Sequence, residues 1–186
     1  MKKIILLTVM SFLVVASAGC GRKNTEAPSE NTPLPEASPQ VIEEVPATPL
    51  PEATTLGQTL ANEFLTLMET DPDMDADAIA DTLIQNPAIL FSGTTMPIEP
   101  GYLAGFGNTE ISGFTQGVSF APMIGTIPFV GYIFKLEEGT DAEAFQNLLK
   151  DNADLAWNIC TQADELVVEV SGNTVFFLMC PDSLEE

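Results

Sequence analysis

The chain has 186 residues, with 27 carboxylates against 6 basic side chains, a net charge of −21 and no histidine. The missing histidine excludes a Ser-His-Asp triad, a Cys-His dyad, a histidine metal site and a histidine pH switch. The acidity speaks against nucleic acid, whose phosphates need lysine and arginine opposite them. A hydrophobic fraction of 45% supplies a core, and the length fits a leader and tail plus one globular domain.

Lys2 and Lys3 precede an uncharged apolar stretch from Ile4 to Ala18, and Ser17-Ala18-Gly19-Cys20 closes it with small residues and a cysteine. This is the anatomy of a secretory signal, residues 1–19. Its apolar part, about 15 residues, falls short of the ~20 needed to span a bilayer. The small residues before Cys20 resemble a bacterial lipobox, although Ser17 stands where a large aliphatic is usual. The resemblance implies cleavage before Cys20 and a diacylglyceryl group on its sulfur, which places the chain on the outer, extracytoplasmic face of the cell membrane. Two acyl chains hold a protein firmly where one does not. An ordinary secretory cut after Ala18 and an uncleaved anchor are the competing readings.

Residues 20–55 read as a tether. Seven of the 14 prolines lie here, among Glu, Thr, Ser and Ala. Such composition buries too little apolar surface to offset ordering entropy and favours extended, polyproline-like backbone. At about 3.1 Å per residue its reach is on the order of 110 Å. Thr32-Pro-Leu-Pro-Glu-Ala-Ser38 recurs as Thr48-Pro-Leu-Pro-Glu-Ala-Thr54, either a docking motif for a proline-recognising partner or a duplicated spacer.

The domain is expected over residues 56–186. Leu56, Leu60, Phe64, Leu67 and Met68 recur at helical spacing, with Thr54 or Thr55 as cap. A second helix over Asp75 to Asn86 presents Ala76, Ile79, Ala80, Leu83 and Ile84, with Pro87 stopping it. The two read as a helical hairpin. Between Glu110 and Lys135 there are 24 residues without a charge. The six glycines and prolines interrupting them argue against a membrane span and for buried strands, Phe114 to Ala121 and Ile127 to Leu136. Tyr102 to Phe106 is a further strand candidate.

Thr140 with Glu143 reads as a capping box. It opens a third helix whose apolar arc runs from Phe145 through Leu149 and Leu155 to Ile159. A hairpin follows, Glu165 to Val170, a turn at Ser171-Gly172-Asn173, then Thr174 to Cys180. Val175 to Met179 is apolar at every position, which predicts a strand covered on both faces. The order predicts an α+β fold, an antiparallel sheet with one packed helix and a C-terminal β-hairpin.

Candidate chemistry is sparse. Asp71-Pro-Asp-Met-Asp-Ala-Asp77 has the look of a calcium loop, but Ala76 and Thr82 stand where an EF-hand needs its glycine and its bidentate glutamate. Gly101-Tyr-Leu-Ala-Gly-Phe-Gly107 lacks the Lys-Ser/Thr and the following helix of a phosphate loop. Carboxylate pairs such as Glu137-Glu138 suit a glycosidase in principle, yet nothing singles out one pair. No nucleophile is placed beside a base. No cofactor is implied.

With Cys20 lipidated, Cys160 and Cys180 remain, an even number in an exported domain. The hairpin turn near Gly172 sets Cys180 opposite about Glu165, and a helix through Ile159 turns Cys160 toward the sheet. A Cys160–Cys180 disulfide is expected on that register, with two buried free thiols as the alternative.

The stretch from Glu138-Gly-Thr-Asp-Ala-Glu-Ala-Phe145 through Trp157-Asn-Ile-Cys160 to Val175-Phe-Phe-Leu-Met-Cys180 resembles a family of small clostridial lipoproteins with a C-terminal domain of unknown function. The resemblance adds weight to the lipoprotein reading and carries no site residues. The sequence thus points to a membrane-anchored, non-enzymatic binding or interaction module of the cell envelope. An envelope or glycan hydrolase using carboxylates and a cation-binding module are the alternatives.

Overall fold

A computed structural model describes residues 53–184. The signal segment, Cys20 and nearly all of the expected tether lie outside the described residues. The domain is α+β, with helices α1 (Leu56–Thr70), α2 (Ala76–Ile84) and α3 (Ala142–Asn152). Strands β1 (Gly93–Ile98), β4 (Phe114–Pro122), β5 (Val130–Leu136), β7 (Thr174–Cys180) and β6 (Glu165–Ser171) form one antiparallel sheet in that spatial order. Two-residue strands β2 (Gly101–Tyr102) and β3 (Glu110–Ile111) pair separately.

The sheet is the middle of three layers, and β7 shows why. Phe176, Leu178 and Cys180 pack with α1 and α2 through Leu60, Phe64, Ile79 and Leu83. Val175, Phe177 and Met179 pack with α3 through Phe145 and Leu149. Successive strand side chains alternate faces, so a strand between two helical layers must be apolar throughout, and every β7 residue is buried. Phe176 stacks on Phe64 at 5.3 Å between ring centroids and on Phe120 at 6.3 Å. On the other face Phe177 meets Phe106 at 4.7 Å.

The α1 start is built as its cap residue requires. Thr55 Oγ1 accepts from Gln58 N–H at 3.2 Å. The Glu165 carboxylate, at the first position of β6, accepts from Thr55 Oγ1 at 2.9 Å and from Gly57 N–H at 3.1 Å. That places a negative charge at the positive end of α1 and ties the helix to the sheet.

Two expectations need correction, and one strand was not expected. First, α3 is capped by Asp141, which accepts from Glu143 N–H and Ala144 N–H, while Thr140 Oγ1 donates to Gly113 C=O. The helix stops at Asn152 because Ala153 leaves the helical region and Asp154 N–H is captured by Gly105 C=O at 2.8 Å. Second, Tyr102 to Phe106 is a strand only at its start, and Phe106 is buried in the following turn. The unexpected strand, β1, carries no strong strand signal in sequence, being Gly-Thr-Thr-Met-Pro-Ile at a sheet edge. Its Ser92–Met123 bond fixes the phase of the ladder, so Gly93, Thr95 and Pro97 turn their backbone outward. Proline, which has no N–H to offer, is tolerated there.

Candidate functional site

The register argument for the cysteines is half right. Cys180 does pair with Glu165. Cys160, however, lies beyond the end of α3, in a turn where Thr161 N–H donates to Asn158 C=O. Both cysteines are free thiols in this structure, Cys160 exposed and Cys180 buried. Burial, reinforced by Glu165, Asp182 and Asp164, pushes the Cys180 thiol far up. In a Cys20→Ser chain an aromatic disulfide reagent is expected to modify Cys160 rapidly and Cys180 only on unfolding. Two titratable thiols in denaturant without reductant confirm the free pair, whereas none would restore the Cys160–Cys180 bond.

The other candidates resolve into structural roles. Along Asp71 to Asp77, Asp73 N–H donates to the Asp71 carboxylate and Asp75 is the N-cap residue of α2. Lys135 is depressed by burial, an effect that Asp73, Asp75 and Asp71 oppose. Among the described residues, no cluster of three or more Cys, Asp or Glu side chains is arranged to hold a metal ion. In the glycine-rich run, Gly105 has φ of +89° and leaves room only for the Met179 methyl, while Gly107, with φ of +55° and open space beside it, serves the turn. Ala104 C=O next to it accepts from Tyr132 Oη at 2.9 Å. Burial holds that phenol well above its usual range. Glu137 N–H donates to Gly113 C=O in the turn before α3, and Glu138 is exposed.

One surface remains without a structural role, and it lies where β4 meets β5. The connection from Pro122 to Phe129 lifts Met123 and Ile124 into solvent, 63% and 88% exposed. On one side stand Leu90 and Phe91, which precede β1. On the other stand Trp157 and Ile159, which follow α3, with Ile159 99% exposed. Thr161 Oγ1 donates to Thr126 C=O at 2.6 Å and joins the two loops. Phe91 stands edge-on to buried Phe129 at 5.0 Å, so the floor of this surface is core.

Three shallow depressions run across it. One of about 370 Å³ lies between Trp157 and Ile127. One of about 310 Å³ lies between Phe91 and Leu184, and one of about 380 Å³ lies between Phe91 and Ile124. They share Ile127 and Phe91 and so form one apolar face. Leu90, Ser183 and Leu184 extend it to a groove walled by Ala53 to Leu56, where the described chain begins.

The face is built from uncharged segments that helix and strand periodicity does not bring together. Residues 82–98, 111–134 and 155–163 carry no charge, although 53–62, 100–109 and 170–181 are uncharged as well. Each of the first three runs sends one loop to this end of the sheet. Scattered exposed apolar residues are ordinary; a contiguous set marks a contact surface.

No helix among the described residues is long and apolar enough to cross a membrane. Comparison of the chain with family models, with curated proteins and with solved structures finds no match.

Proposed function

We propose that the chain is a membrane-anchored extracytoplasmic lipoprotein, held through a diacylglyceryl group on Cys20, whose domain is a non-enzymatic binding module of the cell envelope. The signal anatomy and the lipobox resemblance support the anchor. The observation that carries the binding reading is the uncharged apolar face around Ile124, backed by core rather than by a mobile side-chain shell. A surface of this kind is held open at a cost in solubility, which fits a protein that meets a partner.

The test has two readouts. Replacing Cys20 with serine removes fatty-acid labelling and releases the chain from the membrane fraction; a labelled, membrane-bound variant refutes the anchor. A photo-crosslinking residue at position 124 in intact cells gives discrete adducts, while the same residue at Glu143, exposed on α3, gives none. Equal, diffuse labelling at both positions refutes the binding face.

A further inference from the structure

The charge distribution around the apolar face says what covers it. The described domain has 19 carboxylates and two lysines. One of them, Lys135, sits toward the far end of β5, whereas Val130 at the near end lines the face; the other, Lys150, is exposed in the last turn of α3 and lines none of the depressions. Asp154 and Asp164 bracket the Trp157 loop in sequence, and Asp164 N–H donates to Cys180 C=O where β7 runs out into the face. Asp182, exposed, lines the groove that continues from it. The centre is apolar and the surrounding charge is mostly negative, Asp154, Asp164 and Asp182 against Lys150.

We propose that this end of the domain docks a cationic amphipathic segment of a partner polypeptide. Its apolar side chains fill the depressions between Phe91, Ile127 and Trp157, and its lysines or arginines lie over Asp154, Asp164 and Asp182. This deepens the binding reading above and rests on it. Interfaces commonly place an apolar centre inside a polar rim, and opposite rim charges speed and orient encounter. The same charge disfavours the two rival occupants. A second copy brings two strongly acidic domains together, and an anionic lipid surface repels a domain whose face carries no lysine.

The probe is a fluorescein-labelled 18-residue Leu/Lys amphipathic helix, with a Leu/Glu helix of equal length as control. The full chain is held in phosphatidylcholine nanodiscs, with empty discs as the blank, and binding is read by anisotropy. The Leu/Lys peptide is expected to bind and the Leu/Glu peptide not. Affinity is expected to fall about tenfold between low and high salt as the rim charges are screened. An Ile124→Asp, Ile159→Asp double variant is expected to lose at least about tenfold in affinity. The two aspartates add negative charge, so attraction by charge alone would tighten binding instead. Both side chains are exposed, so an unchanged melting temperature shows that the fold is kept. Asp154→Asn, Asp164→Asn and Asp182→Asn together are expected to flatten the salt dependence.

Unchanged or tighter binding by the isoleucine variant overturns the proposal, as does equal binding of the Leu/Glu peptide or no binding at all. Self-association lost in the isoleucine variant would assign the face to a second copy. Isoleucine-dependent binding to phosphatidylglycerol vesicles would assign it to lipid. Either result overturns the proposal. Membrane fractionation of Cys20→Ser reads the anchor separately, and adducts at position 124 without peptide binding would leave the binding module standing with a partner of other chemistry.

Discussion

Replacing Phe176 with alanine is expected to cost about 3–5 kcal/mol, the range for removing a buried aromatic from a packed core. Phe176 is fully buried at the centre of β7, stacked between Phe64 of α1 and Phe120 of β4. It therefore joins the helical layer to the sheet, and its neighbours come from α1, β4 and β5, where Ile133 pairs with it, so they cannot close on the void together. For a domain of this size such a loss lowers the melting temperature by about 15 °C. Chemical denaturation with an unchanged slope and a lower midpoint is the confirming measurement. A loss below about 1 kcal/mol would mean that the layers are not closely packed there.

The second large effect comes from adding atoms. Gly131 pairs with Phe120 across β4 and β5, and the Phe120 ring lies over the glycine where a side chain would stand. A Cβ at position 131 would collide with that ring. The ring cannot swing aside, since Phe129 at 5.9 Å and Phe176 crowd it. Gly131→Val is expected to destabilise by about 3 kcal/mol, at the upper end for overpacking. A compensating Phe120→Ala should recover part of this, because the valine then fills the vacated space. A double-mutant cycle showing no coupling between the two positions would contradict the geometry.

Legibility in the sequence divides along physical lines. The β6–β7 hairpin could be read because Ser171-Gly172-Asn173 supplies a turn, with Gly172 at φ of +59°, and because unbroken apolarity in β7 matches a strand covered on both faces. Helix α1 and its cap followed from spacing and a hydroxyl. The end of α3 could not be read. Leu155, Ala156 and Ile159 continue the helical spacing, yet Asp154 N–H bonds to Gly105, some fifty positions earlier. The expected disulfide rested on the same extended helix. Strand β1 was hidden because an edge strand needs less apolar character than the period-2 pattern assumes. The apolar face was not singled out by charge, since 82–98, 111–134 and 155–163 share their lack of charge with 53–62, 100–109 and 170–181. That the first three runs meet depends on strand order, which local pattern does not encode.

Both margins of the main sheet carry an obstacle to further pairing. At β6, Gln146 Nε2 of α3 donates to Val168 C=O at 2.8 Å, and Glu165 holds the start of α1 at the first residue of the strand. At β1 the outward row includes Pro97, which cannot donate. Proteins tied to a surface meet their neighbours in two dimensions, repeatedly and in similar orientations. In that setting an open strand margin would invite sheet-to-sheet growth among neighbours. If the chain is anchored at Cys20 as proposed, margins obstructed in this way would help a crowded layer of such domains stay a layer of separate molecules, and would leave the apolar face around Ile124 as the surface for contact.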